Sequence, residues 1–264
     1  MTRVLSAVQA NHCPAELIER RDVSTNLAIL RFRVAERLSF TAGQYATIGI
    51  AIDGDVVERP YSIVSSPHEP FFEFFIELVP GGDITPKLWE LKLGSNLLLR
   101  RRIVGQFTLD TDFTHHLMLA TVTGVAPFVS ILRTQQIERE RGAISNHQFV
   151  VIHGASQSAD LGPYCSELEE LSHAGWLTYM PTVSRPGQNQ VGRAKPVESR
   201  TLCASMPTGL VLIILTRLRM RVVTRRWLRM SKRYWRAFDF VKTKSKKRSS
   251  LALTPSINDW LFAQ

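Results

Sequence analysis

The chain has 264 residues, 44% of them hydrophobic, which is enough to bury a core in two domains or one large one. Its three cysteines, Cys13, Cys165 and Cys203, are far apart, which argues against a disulfide framework, a zinc site or an iron–sulfur centre and fits a reducing cytoplasm. We expect no signal peptide and no membrane span, since the longest apolar run, Leu210–Leu215, is too short to cross a bilayer.

The formal net charge of +10 belongs to the last quarter of the chain. Residues 201–264 hold 14 Lys and Arg against 2 acidic residues, whereas residues 1–200 hold 19 basic and 21 acidic residues. The overall basicity therefore does not describe the partners of the main body of the protein.

Short strands with evenly spaced turns are predicted up to about residue 112. Leu27–Val34 alternates apolar and polar residues, as a half-buried strand does, and Asp53-Gly54 predicts a hairpin between residues 48–50 and 56–57. Further strands are predicted at 71–79, 97–101 and 107–109. A short helix is predicted over residues 84–91, with Thr85 as its N-cap and Pro86 at its first position. This pattern predicts a small antiparallel barrel.

The pattern changes after the barrel. Residues 116–121, 148–153 and 177–183 read as apolar strands, and helices are predicted between them at 128–141 and 163–173. This β-α-β-α-β order is half of a doubly wound α/β sheet, which binds phosphate ligands at the carboxyl ends of its strands.

The most informative stretch is Arg59-Pro60-Tyr61-Ser62. Because Pro60 favours extended backbone, Arg59 and Tyr61 are expected on one face of a strand and Ser62 on the other. A guanidinium suits phosphate oxygens and a tyrosine ring suits a flat heterocycle, which points to a ligand such as a flavin. The alternative is an edge strand that carries a surface arginine.

Five motifs resemble those of bacterial ferredoxin–NADP reductases. They are RPYS, VPGGDIT, ATVTGVAP, HGAS and PTVSRP, in that order, and the resemblance covers roughly residues 1–195. The family joins an FAD-binding antiparallel β-barrel to a Rossmann-like NADP-binding α/β domain. The resemblance implies a barrel domain over 1–112 and an NADP-binding domain over 113–200, and residues 201–264 form an atypical basic segment.

The resemblance also implies the flavin contacts. Arg59 would bind the FAD pyrophosphate, Tyr61 would pack on the isoalloxazine ring, and Ser62 would hydrogen-bond near flavin N5. Tyr61 and Ser62 are therefore the residues expected closest to the chemistry. The remaining implied FAD contacts are Pro60, Phe75, Ile76, Glu77, Leu78, Asp83, Ile84 and Thr85. The alternative for Phe75 is a core aromatic.

In the second domain the resemblance implies two groups of NADP contacts. Ser184 and Arg185 would hold the adenosine 2′-phosphate, for which a hydroxyl and a charged fork are chemically suited. Arg193 would be a second phosphate contact, because Ser156 and Gln157 stand where the family often has an arginine. The turn that would meet the nicotinamide and the pyrophosphate consists of Thr123, Gly124, Ala126 and Pro127.

The end of the chain departs from the family. Its usual Cys-Gly-x-Pro turn and terminal aromatic are not found, and a tract rich in Arg, Lys and Trp follows residue 207. We interpret this as a shift of reading frame near residues 190–210. Residues from about 196 onward are then expected not to complete the sheet, with activity impaired and flavin binding retained. The alternative for this tract is a basic amphipathic helix for nucleic acid or membrane.

The resemblance implies a cytoplasmic, FAD-dependent ferredoxin/flavodoxin–NADP(+) reductase. It would move a hydride between NADPH and FAD and single electrons to or from ferredoxin or flavodoxin. We expect a monomer with no metal and no nucleic-acid partner. Two alternatives stay open: a reductase for another acceptor, such as an oxygenase or free flavin, and a non-catalytic protein whose basic tail binds nucleic acid or lipid.

Overall fold

A computed structural model describes residues 10–52 and 55–185 as two β-sheets with three α-helices. The strands are β1 His12–Asp22, β2 Leu27–Val34, β3 Tyr45–Ile52, β4 Asp55–Ser62, β5 Phe72–Glu77, β6 Asn96–Arg100, β7 His115–Thr121, β8 Gln148–Ala155 and β9 Leu177–Val183. The helices are α1 Thr85–Glu90, α2 Ala126–Glu140 and α3 Tyr164–Ser172. Short 3-10 helices at Val122–Val125 and Ser158–Leu161 precede α2 and α3.

Strands β1 to β6 form an antiparallel sheet, here called the barrel lobe, in the order β4-β3-β6-β1-β2-β5. The sheet curls, because its two end strands approach each other. The N–H of Val64, just after β4, donates to the carbonyl of Glu73 in β5 at 2.8 Å. The rings of Tyr61 and Phe74 are 6.5 Å apart between centroids. The predicted antiparallel barrel is confirmed.

The predicted hairpin forms between β3 and β4. Ile52 pairs with Asp55, and the pairing runs on to Tyr45 opposite Ser62. Its turn residues, Asp53 and Gly54, lie outside the described residues. Alternation places Arg59 and Tyr61 on one face of β4 and Ser62 on the other, as predicted.

The α/β lobe contains β7, β8 and β9 as a parallel sheet in that order. Helix α2 connects β7 to β8 and helix α3 connects β8 to β9, so the predicted β-α-β-α-β unit is confirmed. Thr121 is level with Gly154, and Ala155 is level with Val183. The segments that follow the three strands therefore meet at one edge of the sheet.

Strand β5 is buried on both faces, which joins the two lobes. The residues that face the barrel core are Phe72, Phe74 and Ile76. Phe75 points the other way, into a second core that α2, α3 and the parallel sheet also line. Leu27 and Ile29 of β2 join this second core. The sequence predicted β2 to be half-buried, and that is wrong for its first half because the α/β lobe covers its outer face.

Two local predictions in the barrel lobe are wrong. Thr85 is not the N-cap of α1: Ile84 holds that position without a side-chain cap, and Pro86 is the second helical residue. The Thr85 hydroxyl instead accepts from the Val79 N–H at 3.0 Å and donates to the Val79 carbonyl at 3.2 Å, which closes the turn before the helix.

Residues 107–109 do not form the predicted strand. The chain makes one isolated bridge, Val104 to Tyr45, and then leaves the sheet. The cause lies at Gly105, whose φ of +136° is incompatible with continued antiparallel pairing.

None of the helices in the described ranges is long and apolar enough to cross a membrane. Both cysteines in these ranges, Cys13 and Cys165, are free thiols. Arg193, Cys203 and the whole of 186–264, including the predicted incomplete sheet and the basic tract, lie outside the described residues.

Candidate functional site

The end of β4 presents a charged pair to solvent. The Arg59 guanidinium forms an ion pair with the Asp83 carboxylate, and its Nη1 donates to the Glu58 carbonyl at 2.8 Å. Arg59 is 46% exposed and Asp83 63% exposed. Two predicted FAD contacts thus meet, and a bound diphosphate would compete with Asp83 for the guanidinium.

Tyr61 lies two residues beyond Arg59 along the strand, opposite Ala46. Its ring packs edge-on against Phe74 at the margin of the barrel core. Burial raises the pKa of Tyr61 to about 12, although the nearby Arg59 charge lowers it. The phenol is therefore neutral and protonated near pH 7.

Tyr45, which no motif singled out, is paired with Ser62 across the hairpin. Tyr45 is among the few large apolar side chains exposed in the described residues, at 36%. An exposed aromatic ring beside the predicted flavin-tuning hydroxyl is a suitable surface for a flat heterocycle. The pairing could have been read from the hairpin register.

The other predicted flavin contacts differ in accessibility. Phe75 packs against Tyr164, with 5.1 Å between the two ring centroids, and Ile76 and Ile84 lie in the barrel core. Their side chains are unavailable to a ligand, so only their backbone groups could reach one. The exposed members of this group are Pro60, Glu77 and Asp83; Leu78 is half-buried.

The predicted NADP contacts gather at the carboxyl edge of the parallel sheet. Thr123 and Gly124 lie in the 3-10 turn after β7, and Ala126 and Pro127 open α2. After β9 the chain continues beside β8, since the N–H of Ser184 donates to the Ala155 carbonyl at 3.1 Å.

Arg185 extends the same pairing, and its N–H donates to the Ser156 carbonyl at 2.9 Å. The side chains of Ser184 and Arg185 are exposed. Ser156 and Gln157, which stand where the family often has an arginine, both take part in local hydrogen bonds. Gln157 caps the 3-10 helix Ser158–Leu161, with its N–H donating to the Asp160 carboxylate at 3.1 Å.

The turn after β7 is strained. Val122 has a φ of +44° and is the one non-glycine residue with positive φ in the described chain. For a β-branched residue this conformation costs about 1–3 kcal/mol and persists only where the surroundings enforce it. Such strain is concentrated at functional sites in proteins, and no pattern in the sequence predicted it here.

A buried histidine contacts that turn. His153 Nε2 is 3.0 Å from the Val122 carbonyl oxygen, and its Nδ1 is 3.1 Å from the Tyr179 hydroxyl. Burial lowers the pKa of His153 to about 4, so the ring is neutral at physiological pH. The histidine stands in the HGAS motif, but its partners are distant in sequence.

Comparisons with known proteins agree with this two-lobe arrangement. The family model of the oxidoreductase FAD-binding domain matches residues 14–107, and that of the oxidoreductase NAD-binding domain matches residues 118–214. A flavodoxin/ferredoxin–NADP reductase of Escherichia coli K12 is 39% identical over 153 residues, which are 56% of this chain. The chain spans 59% of the length of that relative.

A second relative is covered more fully. Ferredoxin–NADP reductase B of Sorangium cellulosum is 32% identical over 200 residues, which are 73% of this chain and 78% of the relative. Among solved structures, a ferredoxin NADP+ reductase from Neisseria gonorrhoeae with bound FAD and NADP superposes with a TM-score of 0.60. It is 23% identical, over 68% of this chain and 71% of that one, so this likeness concerns the fold alone.

Proposed function

The chain belongs to the ferredoxin–NADP reductase family, and from that premise we propose that it is an FAD-dependent ferredoxin/flavodoxin–NADP(+) reductase. When bound, FAD would supply the chemistry, exchanging a hydride with NADPH and single electrons with ferredoxin or flavodoxin. The observation that supports this most directly is the meeting of the Thr123–Gly124 turn with Ser184 and Arg185 at one sheet edge. We propose the cytoplasm as its compartment and a monomer as its state.

The residues at the end of β4 fit an FAD site. Arg59 offers an exposed guanidinium whose present partner, Asp83, is also exposed and can be displaced. Tyr61 offers a neutral phenol, and Ser62 and Tyr45 stand as a pair on the opposite face of the hairpin. The work of these residues is to bind and orient, since none of them needs to gain or lose a proton.

The edge of the α/β lobe fits a nucleotide that carries an additional phosphate. The Arg185 side chain is exposed, and a guanidinium at this edge is suited to an anion. Backbone N–H groups of the turn before α2 are suited to a pyrophosphate. A site for NAD would more often place an acidic residue where Ser184 and Arg185 stand.

A visible absorption spectrum of the purified full chain tests the proposal. We expect flavin bands that bleach anaerobically when NADPH is added and return when an oxidised ferredoxin or flavodoxin follows. Bleaching that only another acceptor reverses would favour a reductase for a different partner. A colourless protein that takes up no added FAD would contradict the proposal.

Arg59→Ala is expected to weaken FAD binding about 10- to 100-fold. The substitution removes a charged hydrogen-bond partner worth roughly 1.5–3 kcal/mol. Titration of the FAD-free protein with FAD, followed by flavin fluorescence, measures the change. The matched control is Arg33→Ala, which removes another exposed arginine of the barrel lobe, one that pairs with Glu16. Equal affinities in the two variants would exclude Arg59 from the site.

Arg185→Ala is expected to raise the KM for NADPH by about 10-fold or more and to leave that for NADH nearly unchanged. The 2′-phosphate is the only group that differs between the cofactors, and a charge-assisted bond to it is worth roughly 1.5–3 kcal/mol. Steady-state kinetics with both cofactors and a dye acceptor measure the ratio. Arg141→Ala, at the far end of α2, serves as the control. A parallel loss with both cofactors would make Arg185 a structural residue.

A further inference from the structure

We propose that His153 is a positioning residue for nucleotide binding, which holds the strained Val122 carbonyl and thereby fixes the Thr123–Gly124 turn. This inference rests on the proposed function, because the turn is the proposed nucleotide contact. His153 does not itself reach a ligand, since it is 0% exposed.

The position of His153 follows from the register of the parallel sheet. His153 in β8 is level with Ala120 in β7, two residues before Val122. Its Nε2 is 3.0 Å from the Val122 carbonyl oxygen, so it lies beside the point where the chain leaves the sheet with positive φ. The 3-10 turn Val122–Val125 starts there and runs directly into α2.

The partners of the imidazole assign its tautomer. A carbonyl oxygen can only accept, so Nε2 carries the proton and donates to Val122. Nδ1 is then an acceptor, and the Tyr179 hydroxyl, 3.1 Å away, donates to it. Burial raises the pKa of Tyr179 well above its ordinary value and lowers that of His153, so this pattern is maintained across neutral pH.

The chain of bonds ties the turn to the interior of the lobe. Tyr179 belongs to β9, so its hydroxyl links the imidazole in β8 to the neighbouring strand. Strained backbone persists only when surrounding contacts enforce it, and this chain of bonds supplies such contacts from β8 and β9. Both imidazole nitrogens are occupied in it, so His153 is not available as an acid or base. Its influence on the nucleotide must pass through the backbone of the turn.

Three variants of the FAD-loaded full chain separate positioning from bulk packing. His153→Leu keeps apolar volume but removes both bonds. His153→Gln restores a donor of similar reach to the Val122 carbonyl. Tyr179→Phe removes only the hydroxyl and leaves the His153 donor in place. Fluorescence titration with NADP+, FAD content and hydrogen exchange of the peptide covering residues 121–127 are measured for each variant.

We expect His153→Leu to weaken NADP+ binding about 10-fold or more, with FAD content unchanged and exchange of residues 121–127 accelerated about 10-fold. His153→Gln should return both readouts to within about 3-fold of the parent, and Tyr179→Phe should lie between the two. A folded His153→Leu protein with parental NADP+ affinity and parental exchange would overturn the proposal. So would a His153→Gln protein as impaired as His153→Leu.

The exchange measurement also separates this inference from the proposed function. If the parent protein binds FAD but no NADP+, the proposed function fails, while exchange at residues 121–127 still decides whether His153 holds the turn. If His153→Leu does not fold, the milder Tyr179→Phe variant decides: unchanged exchange at residues 121–127 would overturn the proposal, and faster exchange would support it.

Discussion

Gly43→Ala is expected to be the most damaging single substitution in the barrel lobe. A Cβ atom at this position would lie 2.0 Å from the backbone carbonyl oxygen of Phe107, a distance that real side chains do not adopt. The φ of Gly43, +95°, is also a conformation that alanine resists. The obstacle is backbone and cannot rotate away, so we expect a loss of more than about 3 kcal/mol in the free energy of unfolding, or no folded protein.

Gly142→Ala is the matched control for Gly43→Ala. Gly142 has a similar φ, +89°, but a Cβ atom added there would meet no other atom within 4 Å. It should therefore show the conformational penalty alone, about 1 kcal/mol. Urea denaturation of both variants measures the difference. Equal losses would mean that Phe107 moves aside easily and that the close approach has little energetic weight.

Glu73→Gln is the second substitution with a large expected effect. Glu73 is 1% exposed, and its carboxylate accepts from Arg31 Nε at 2.5 Å, from Arg133 Nη1 at 3.1 Å and from the Tyr164 hydroxyl at 2.9 Å. Arg31 belongs to the barrel lobe, whereas Arg133 and Tyr164 belong to α2 and α3. Glu73→Gln leaves Arg31 paired with Glu19 and Arg133 paired with Glu69 and Glu167, but it removes the buried carboxylate that all three donors share, so we expect a loss of about 3 kcal/mol in unfolding free energy.

The control for Glu73→Gln is Glu16→Gln, which breaks the exposed pair with Arg33 and should cost less than about 1 kcal/mol. Tyr164→Phe tests the neutral part of the cluster and should cost about 1 kcal/mol, the net value of one hydrogen bond. Thermal and urea unfolding with bound FAD measure all three. If Glu73→Gln loses no more unfolding free energy than Glu16→Gln, then the other carboxylates around Arg31 and Arg133 are sufficient to compensate their charges.

Most of the strands could be predicted because the patterns of apolar residues and turn residues that mark them span only a few neighbouring positions. Strands β2 and β9 have the predicted bounds. The prediction that Thr85 caps the helix is wrong because its hydroxyl hydrogen-bonds to the Val79 backbone instead. The motifs also located both parts of the candidate site, although the roles of those residues stay predictions.

The features that sequence reasoning missed depend on distant partners. In the run Phe72–Glu77 the carboxylate of Glu73 looks like an ordinary outward-facing charge. Its partners Arg133 and Tyr164 lie 60 and 91 residues further along the chain. The carbonyl of Val122, the residue with positive φ, is likewise contacted by a histidine 31 residues away. A single sequence carries no record of such pairs, because they arise only once the sheets are assembled.

The strand that both cores share makes the lobes poor candidates for independent exchange. Strand β5 contributes Phe74 to the barrel core and Phe75 to the second core. Residues adjacent in sequence therefore pack against different partners. A chimaera that grafts the barrel lobe of one relative onto the α/β lobe of another must match volume and charge across this strand as well as join the ends. Substitutions at Glu73 or Phe75 should accordingly be accepted only together with changes in α2 and α3. The residues of β5 and their partners in both lobes must therefore be exchanged together, even though they lie in two different nucleotide-binding domains.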